Sequence, residues 1–388
     1  MKVGIIGAGL GGLLSGAYLS EKGFDVEIFE KLPFAGGRFT SINYRGYEVS
    51  TGALHMIPHG RRGPLGKLLR EIGCRVEIVD SKPEGEIFWD GEREPLSRKC
   101  FPWKDYAKFN MELILTKLKL RSKNLENFGE KLDRKTYFFM KSFLGWSFSI
   151  FPEHMNFKKV VPVYHNLAKY RGPGIPVGGC RAVTDGLVEV IQSNDGCVFL
   201  RKEVKALKPG KNPELVFNGD SRKFDIILSD IGHRLTGKLI GEDAVNHPPE
   251  SRGVKYTISL DEPFVGHTGV LFVLGKSIAG MNEVTNADEN LGRKHMLQIH
   301  QPLREGSREE ILQGLREIKE ILKGCSYEII AVQSYRGDWP VNRIMAGMDI
   351  GNRTKYDNIY VVGDGAKGDD IEVDGVAIGV KRVVEEIV

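Results

Sequence analysis

The sequence is short of the features that mark several protein classes. Its five cysteines, Cys74, Cys100, Cys180, Cys197 and Cys325, are odd in number and widely spaced, and they form no CxxC pair. That spacing argues against a disulfide framework, a zinc knuckle and a dithiol relay, so reduced thiols packed as small apolar residues are expected and no metal site is. No apolar run is long enough to span a bilayer, and Met1-Lys2 leads straight into a strand without a basic leader or a small-residue cleavage site, so a cytoplasmic protein is expected. The excess of base over acid is slight. There are 55 Lys and Arg against 51 Asp and Glu, for a net charge of +4; they form no stripe suited to nucleic acid, and the lysine-rich run around Lys117 to Lys123 suits a solvated helix face better than an anionic membrane surface. Nucleic acid is therefore not an expected partner.

What is present starts at the first residues. The chain has 388 residues, enough for two intertwined domains, and the 41% apolar and 27% charged composition of a globular protein. Lys2 to Ile6 reads as a short apolar strand. It runs through Gly7-Ala8-Gly9-Leu10-Gly11-Gly12 into a helix, and Glu30 closes the next strand. Each of three glycines does something a side chain would block: Gly7 permits the tight turn, Gly9 lets backbone approach a pyrophosphate, and Gly12 lets helix pack on sheet. The helix start offers free amides and a positive dipole end to phosphate. Glu30, with Lys31 beside it, stands where a ribose diol would sit, and an acid there favours a free ribose over a 2′-phosphate. Just beyond, Gly36-Gly37-Arg38 brings a glycine pair and a cation that can hold the pyrophosphate.

A second GxGxxG, from Gly363 to Gly368, also follows an apolar strand. Asp369, Asp370 and Glu372 follow it, and too little chain remains for another βαβ unit. It is therefore not read as a second nucleotide site. From Pro64 to Tyr170 the pattern becomes helical, with a hairpin over 86–95 turning at Asp90-Gly91 and helical runs over 104–123 and 127–143. This region holds the densest aromatic cluster, Tyr137 to Phe151, which includes Phe148. The cluster suits either core packing, the wall of an apolar substrate tunnel, or a shallow membrane contact. After Gly178-Gly179 the nucleotide-binding pattern resumes with a helix and strands. Strand-like stretches over 253–284 and 326–335, with a helix over 307–323 between them, predict a second sheet.

Taken in this order, the pieces resemble the FAD-dependent amine oxidase and phytoene desaturase superfamily from end to end. The resemblance implies an α/β fold: a Rossmann-type FAD/NAD(P)-binding domain with an inserted α+β substrate domain, of the glutathione-reductase-like, amine oxidase subtype. The FAD-binding domain is expected over 1–63, 176–240 and 340–388, and the substrate domain over 64–175 and 241–339. The resemblance further implies that Glu30 holds the adenosine ribose, that Gly37 and Arg38 lie on the pyrophosphate, and that Val204 meets the adenine. Gly363 and Asp364 would meet the pyrophosphate and ribityl chain, with Gly375 and Val376 near the flavin O2 edge.

Lys255 sits in a run similar to the amine-oxidase strand whose lysine positions a water near flavin N5. The alternative is a solvated lysine on the strand's outer face. His55 and His59 follow a glycine loop expected near the flavin ring, with His55 a candidate catalytic residue, although lone histidines are more often structural; Tyr335 and Trp339 are candidate pocket walls beside Phe148, with core packing the favoured alternative. With no flavin-linking cysteine motif, FAD is expected to be non-covalent. The absence of a clear aromatic amine cage favours an apolar or isoprenoid-like substrate over an amine. One dinucleotide fingerprint implies reduction by an organic small molecule and reoxidation by oxygen, a quinone or a redox protein. Membrane contact is expected to be peripheral at most. An amine oxidase, an NAD-dependent dehydrogenase and a non-catalytic nucleotide- or flavin-binding protein remain as alternatives.

Overall fold

The computed structural model describes residues 1–52, 54–242, 248–335 and 344–388. Strand Lys2–Ile6 is the middle of a five-stranded parallel sheet, and it is almost wholly buried because layers cover both faces of the sheet. Asp25–Phe29 and then Cys197–Phe199 lie on one side of it. Ile226–Ser229 and then Ile359–Val361 lie on the other. The chain order thus reverses at the first strand, which opens a crevice at the carboxyl ends of the strands. Helices Leu10–Glu21, Gly179–Ser193 and Glu372–Ile387 cover one face, through residues such as Leu13, Leu14, Leu187 and Val380. The other face carries a small antiparallel sheet, residues 206–223, and the helix Gly232–Ile240, packed around Phe29, Leu215 and Phe224.

A seven-stranded mixed sheet forms the second unit. In spatial order it runs Tyr327–Tyr335, Gly253–Leu260, His295–Pro302, Gly280–Glu283, Val270–Val273, Gly85–Trp89 and Glu92–Pro95. The hairpin turn expected at Asp90-Gly91 is present, with both residues at positive φ, 51° and 84°, which matches the twist of the flanking strands. Helix Arg308–Ile321 packs on one face of this sheet and helix Arg134–Phe148 on the other.

Three boundaries differ from expectation. Helix Pro64–Glu71, placed in the substrate domain from sequence, buries Leu65, Leu68 and Leu69 in the same core as the first strand, and Ile78–Asp80 pairs with Gly174–Pro176. The nucleotide-binding unit therefore extends to about residue 80. The run over 127–143 is two helices, Leu125–Gly129 and Arg134–Phe148, because the Asp133 carboxylate accepts from the Lys135 amide and starts a new helix. Helix Phe157–Tyr170 had no counterpart in the sequence reading because Pro162, ordinarily a helix breaker, lies inside it.

Candidate active site

The two units share one cavity of about 600 Å³. Its polar end is walled by the first glycine loop at Gly7, Gly9, Leu10 and Gly11, by Glu30 and Lys31, by Gly37 and Arg38, and by Val204, Gly363, Asp364 and Val376. Its apolar end is walled by Leu54, Met56, Phe143, Trp146, Val270 and Phe272. Residues 7–38 and 363–376 are thus brought to one site by the parallel order of their strands.

Local structure explains the polar end. Gly9 occupies the N-cap of the first helix and no side chain caps it, so the helix's leading amides stay open to an anion. Gly7 has φ +91°, and a Cβ at Gly12 would lie 2.2 Å from the Gly7 carbonyl, so the turn and the helix contact both require glycine. The Glu30 carboxylate accepts from the amides of Ala8 and Leu32, both at 2.8 Å, which fixes it on the cavity wall. Arg38 donates to Asp364 at 2.8 Å, joining the two loops on which sequence reasoning placed phosphate and ribityl contacts. Burial alone would raise the Asp364 carboxyl, but Lys367 and Arg38 hold it below the ordinary carboxylate range. Ala8, Gly12 and Gly375 stand behind the wall rather than on it. A Cβ at Gly375 would meet the Gly368 carbonyl at 2.9 Å, so this glycine serves the turn into the last helix.

Sequence reasoning missed Asp230, which follows strand Ile226–Ser229. A Cβ on Gly9 would lie 2.4 Å from its Oδ2, and one on Gly363 would lie 1.9 Å from its Oδ1. Oδ2 is buried and, among the described residues, makes no hydrogen bond of good geometry. Burial, reinforced by the charges of Glu30 and Asp364, pushes this carboxyl up to about 8 against the pull of the Gly12 amide and Arg38. At neutral pH it is a carboxylic acid, which can donate a hydrogen bond where a carboxylate would repel phosphate. His233, Arg234 and Lys238 on the next helix also line the cavity. The available signal was Asp230-Ile231-Gly232, a strand running through a glycine into a helix.

Several expectations need correction. Phe148 does not line the main cavity. It is buried among Leu125, Met155 and Phe157, and the side chains of its helix that face the cavity are Phe143, Trp146 and Ser147. His55 is fully buried, with Nε2 2.6 Å from the Glu48 carbonyl and Nδ1 receiving the Cys180 amide at 3.0 Å. Burial lowers it to about 4, so it is a neutral structural imidazole with both nitrogens engaged. His59 is likewise a strut, with Nε2 2.9 Å from Asp370 and its backbone amide bonded to Asp374.

Lys255 is not on an outer face. It is wholly buried and donates to the carbonyl of Ser50 at 2.6 Å and to its hydroxyl at 2.5 Å, and burial lowers its ammonium to about 7. It lies beneath the turn that brings Gly52 and Leu54 to the cavity, not on the cavity wall. Tyr335 ends its strand opposite Gly253; its side chain and Trp339 lie outside the described residues.

Residues 5–72 match the NAD(P)-binding Rossmann-like domain family. An uncharacterised protein of Methanocaldococcus jannaschii is 41% identical over 100% of this chain and 99% of its own length. The crystal structure of an oxidoreductase from Methanosarcina mazei is 36% identical and superposes with a TM-score of 0.91 over 99% of this chain and 100% of that one. A 1-hydroxycarotenoid 3,4-desaturase of Flavobacterium is 25% identical over 54% of this chain and 51% of its own length, so the chain spans about half of that relative. Putrescine oxidase, 15% identical, shares the fold over 100% of this chain and 99% of its own, with a TM-score of 0.73. The chain belongs to one family with the Methanocaldococcus protein and the Methanosarcina oxidoreductase, and it has the fold of putrescine oxidase.

The Methanosarcina relative, matched along its whole length, is an oxidoreductase, the enzyme class supported for this chain. The residues present suit a flavin dinucleotide. Three glycines, Gly9, Gly11 and Gly363, leave a cradle beside Asp230 that any Cβ would fill, and the uncapped helix start and Arg38 supply positive potential to it.

Proposed function

We propose that the protein binds FAD non-covalently along this cavity and removes a hydride from an apolar, isoprenoid-like substrate held at the Phe143–Trp146–Phe272 end. The observation that carries the reading is that a charged, glycine-lined half and an aromatic half are continuous in one cavity. Bound FAD supplies the two-electron acceptor, so no protein nucleophile is required. The likeness to a carotenoid desaturase supports a polyene or isoprenoid substrate.

The chain's own residues bind, orient and exclude water. Glu30 accepts from the adenosine ribose, Val204 packs on the adenine, and Arg38 with the first helix's amides holds the pyrophosphate. Asp364 is fixed by Arg38 and Lys367 as an ionised acceptor for a ribityl hydroxyl. Lys255 acts as a positioning residue, holding Ser50 and so the turn at Gly52 and Leu54. Phe143, Trp146 and Phe272 keep the reacting end dry. Reoxidation is by oxygen, a quinone or a redox protein.

Anaerobic addition of polyene and amine candidates to the FAD-loaded protein tests this. A polyene is expected to bleach the flavin, and Trp146→Ala is expected to raise KM on the order of tenfold with FAD retained, since it removes a large apolar contact. Faster bleaching by an amine than by any polyene would contradict the substrate class and favour an amine oxidase.

A further inference from the structure

Helix Trp103–Lys117 carries an apolar stripe on the side facing away from the protein. Trp103, Ala107, Met111, Ile114 and Leu118 recur at steps of four, four, three and four, which keeps them on one face. They are not buried: Trp103 is 75% exposed, Met111 and Ile114 are each 54%, and Leu118 is 63%. Leu120, in the turn that follows, is 68% exposed. The opposite face accounts for the helix's attachment, since Phe109 and Leu113 pack into a cluster with Phe143 and Leu167, two residues of the cavity wall.

Charge around the stripe has one sign. Residues 98–123 contain eight Lys and Arg against two acids, Asp105 and Glu112. Both acids are buried and spoken for, Asp105 by Lys108 and Glu112 by Arg121 and Lys123. Lys99, Lys104, Lys117 and Lys119 form no ion pair among the described residues and stand exposed, or nearly so, beside the apolar stripe. A second copy laid on this face would bring the same lysines against one another, so self-association is opposed by the charges that border it. An anionic lipid surface satisfies both features at once, with apolar side chains and a tryptophan entering the acyl boundary and lysines meeting headgroups. Among the described residues no helix is long and apolar enough to cross a membrane, so the contact is in the plane of the surface.

We infer that the outer face of helix Trp103–Lys117 is a docking surface for an anionic membrane, which lays the inserted helical region on the bilayer one layer of side chains from the cavity wall. The inference rests on the stripe and its lysines and not on the cofactor, so it stands or falls separately from the flavin reading.

Sedimentation of the full chain with vesicles of phosphatidylcholine alone, and of phosphatidylcholine with phosphatidylglycerol, tests it. Binding is expected to the second kind only and to be released by high salt. Reversing Lys104, Lys117 and Lys119 to Glu is expected to weaken partitioning by about a hundredfold or more. Ile114→Ser with Leu118→Ser should also release the protein, with the wild-type melting temperature retained in both variants because all five positions are exposed. No binding to phosphatidylglycerol vesicles, or equal binding by the charge-reversed variant, would overturn the inference. So would a dimer in sedimentation velocity that the Ser variant dissolves, since a second copy would then be what covers the face.

Discussion

Asp230 sets how the phosphate end of the cavity responds to pH. Its carboxyl lies at about 8 in the folded chain, well above the ordinary value of 3.8. The folded state therefore holds this proton more tightly than the unfolded state. The group imposes no cost below about pH 4, a cost that grows as pH rises from there to about 8, and a constant cost above that. Asp230→Asn keeps the shape and removes the titration. Its stability is expected to exceed wild type by on the order of a few kcal/mol above pH 8 and to match it near pH 4, read from urea midpoints at the two pH values. FAD affinity follows the same sign, because an ionised Asp230 would face the pyrophosphate with Glu30 and Asp364 already nearby. Wild-type affinity should fall as pH rises through 8, and the Asn variant should lose that dependence. A wild-type affinity flat across this range would show that Asp230 does not meet the dinucleotide.

At the scale of elements, the last helix is held in place by its first turn. The His59 imidazole bonds to Asp370, and the amides of His59 and Leu65 bond to the two oxygens of Asp374. Burial would lower His59, but the carboxylates of Asp370 and Asp374 raise it, and burial pushes Asp374 up to about 7. His59→Ala takes the imidazole from Asp370 and its charge from beside Asp374, while the amide bond to Asp374 is kept. It is expected to cost on the order of 3 kcal/mol and to loosen Val376 from the cavity wall, measurable as a lower melting temperature and faster amide exchange in the last helix.

The partners of this strut were not legible in sequence, where His59 was placed near the flavin loop with a structural role favoured, because they lie more than 300 residues away. The glycine loop, Glu30 and the strands and helices around them were legible, since each depends on local spacing. Gly363 and Asp364 were placed by resemblance, and the parallel sheet brings them to the first loop. Helix Phe157–Tyr170 was hidden by Pro162. Phe148 was misplaced by one helical face, a matter of which way a side chain points that composition does not record.

For the whole molecule, function depends on two units sharing one cavity. The five-stranded parallel sheet supplies the dinucleotide end, and the inserted helices with the mixed sheet supply the aromatic end. The most direct test is the absorbance spectrum of the purified protein before and after FAD is supplied, with the released cofactor identified by mass after denaturation. A flavin spectrum is expected, with intact FAD released and no covalent attachment. A protein with no flavin that takes up none from excess FAD would contradict it.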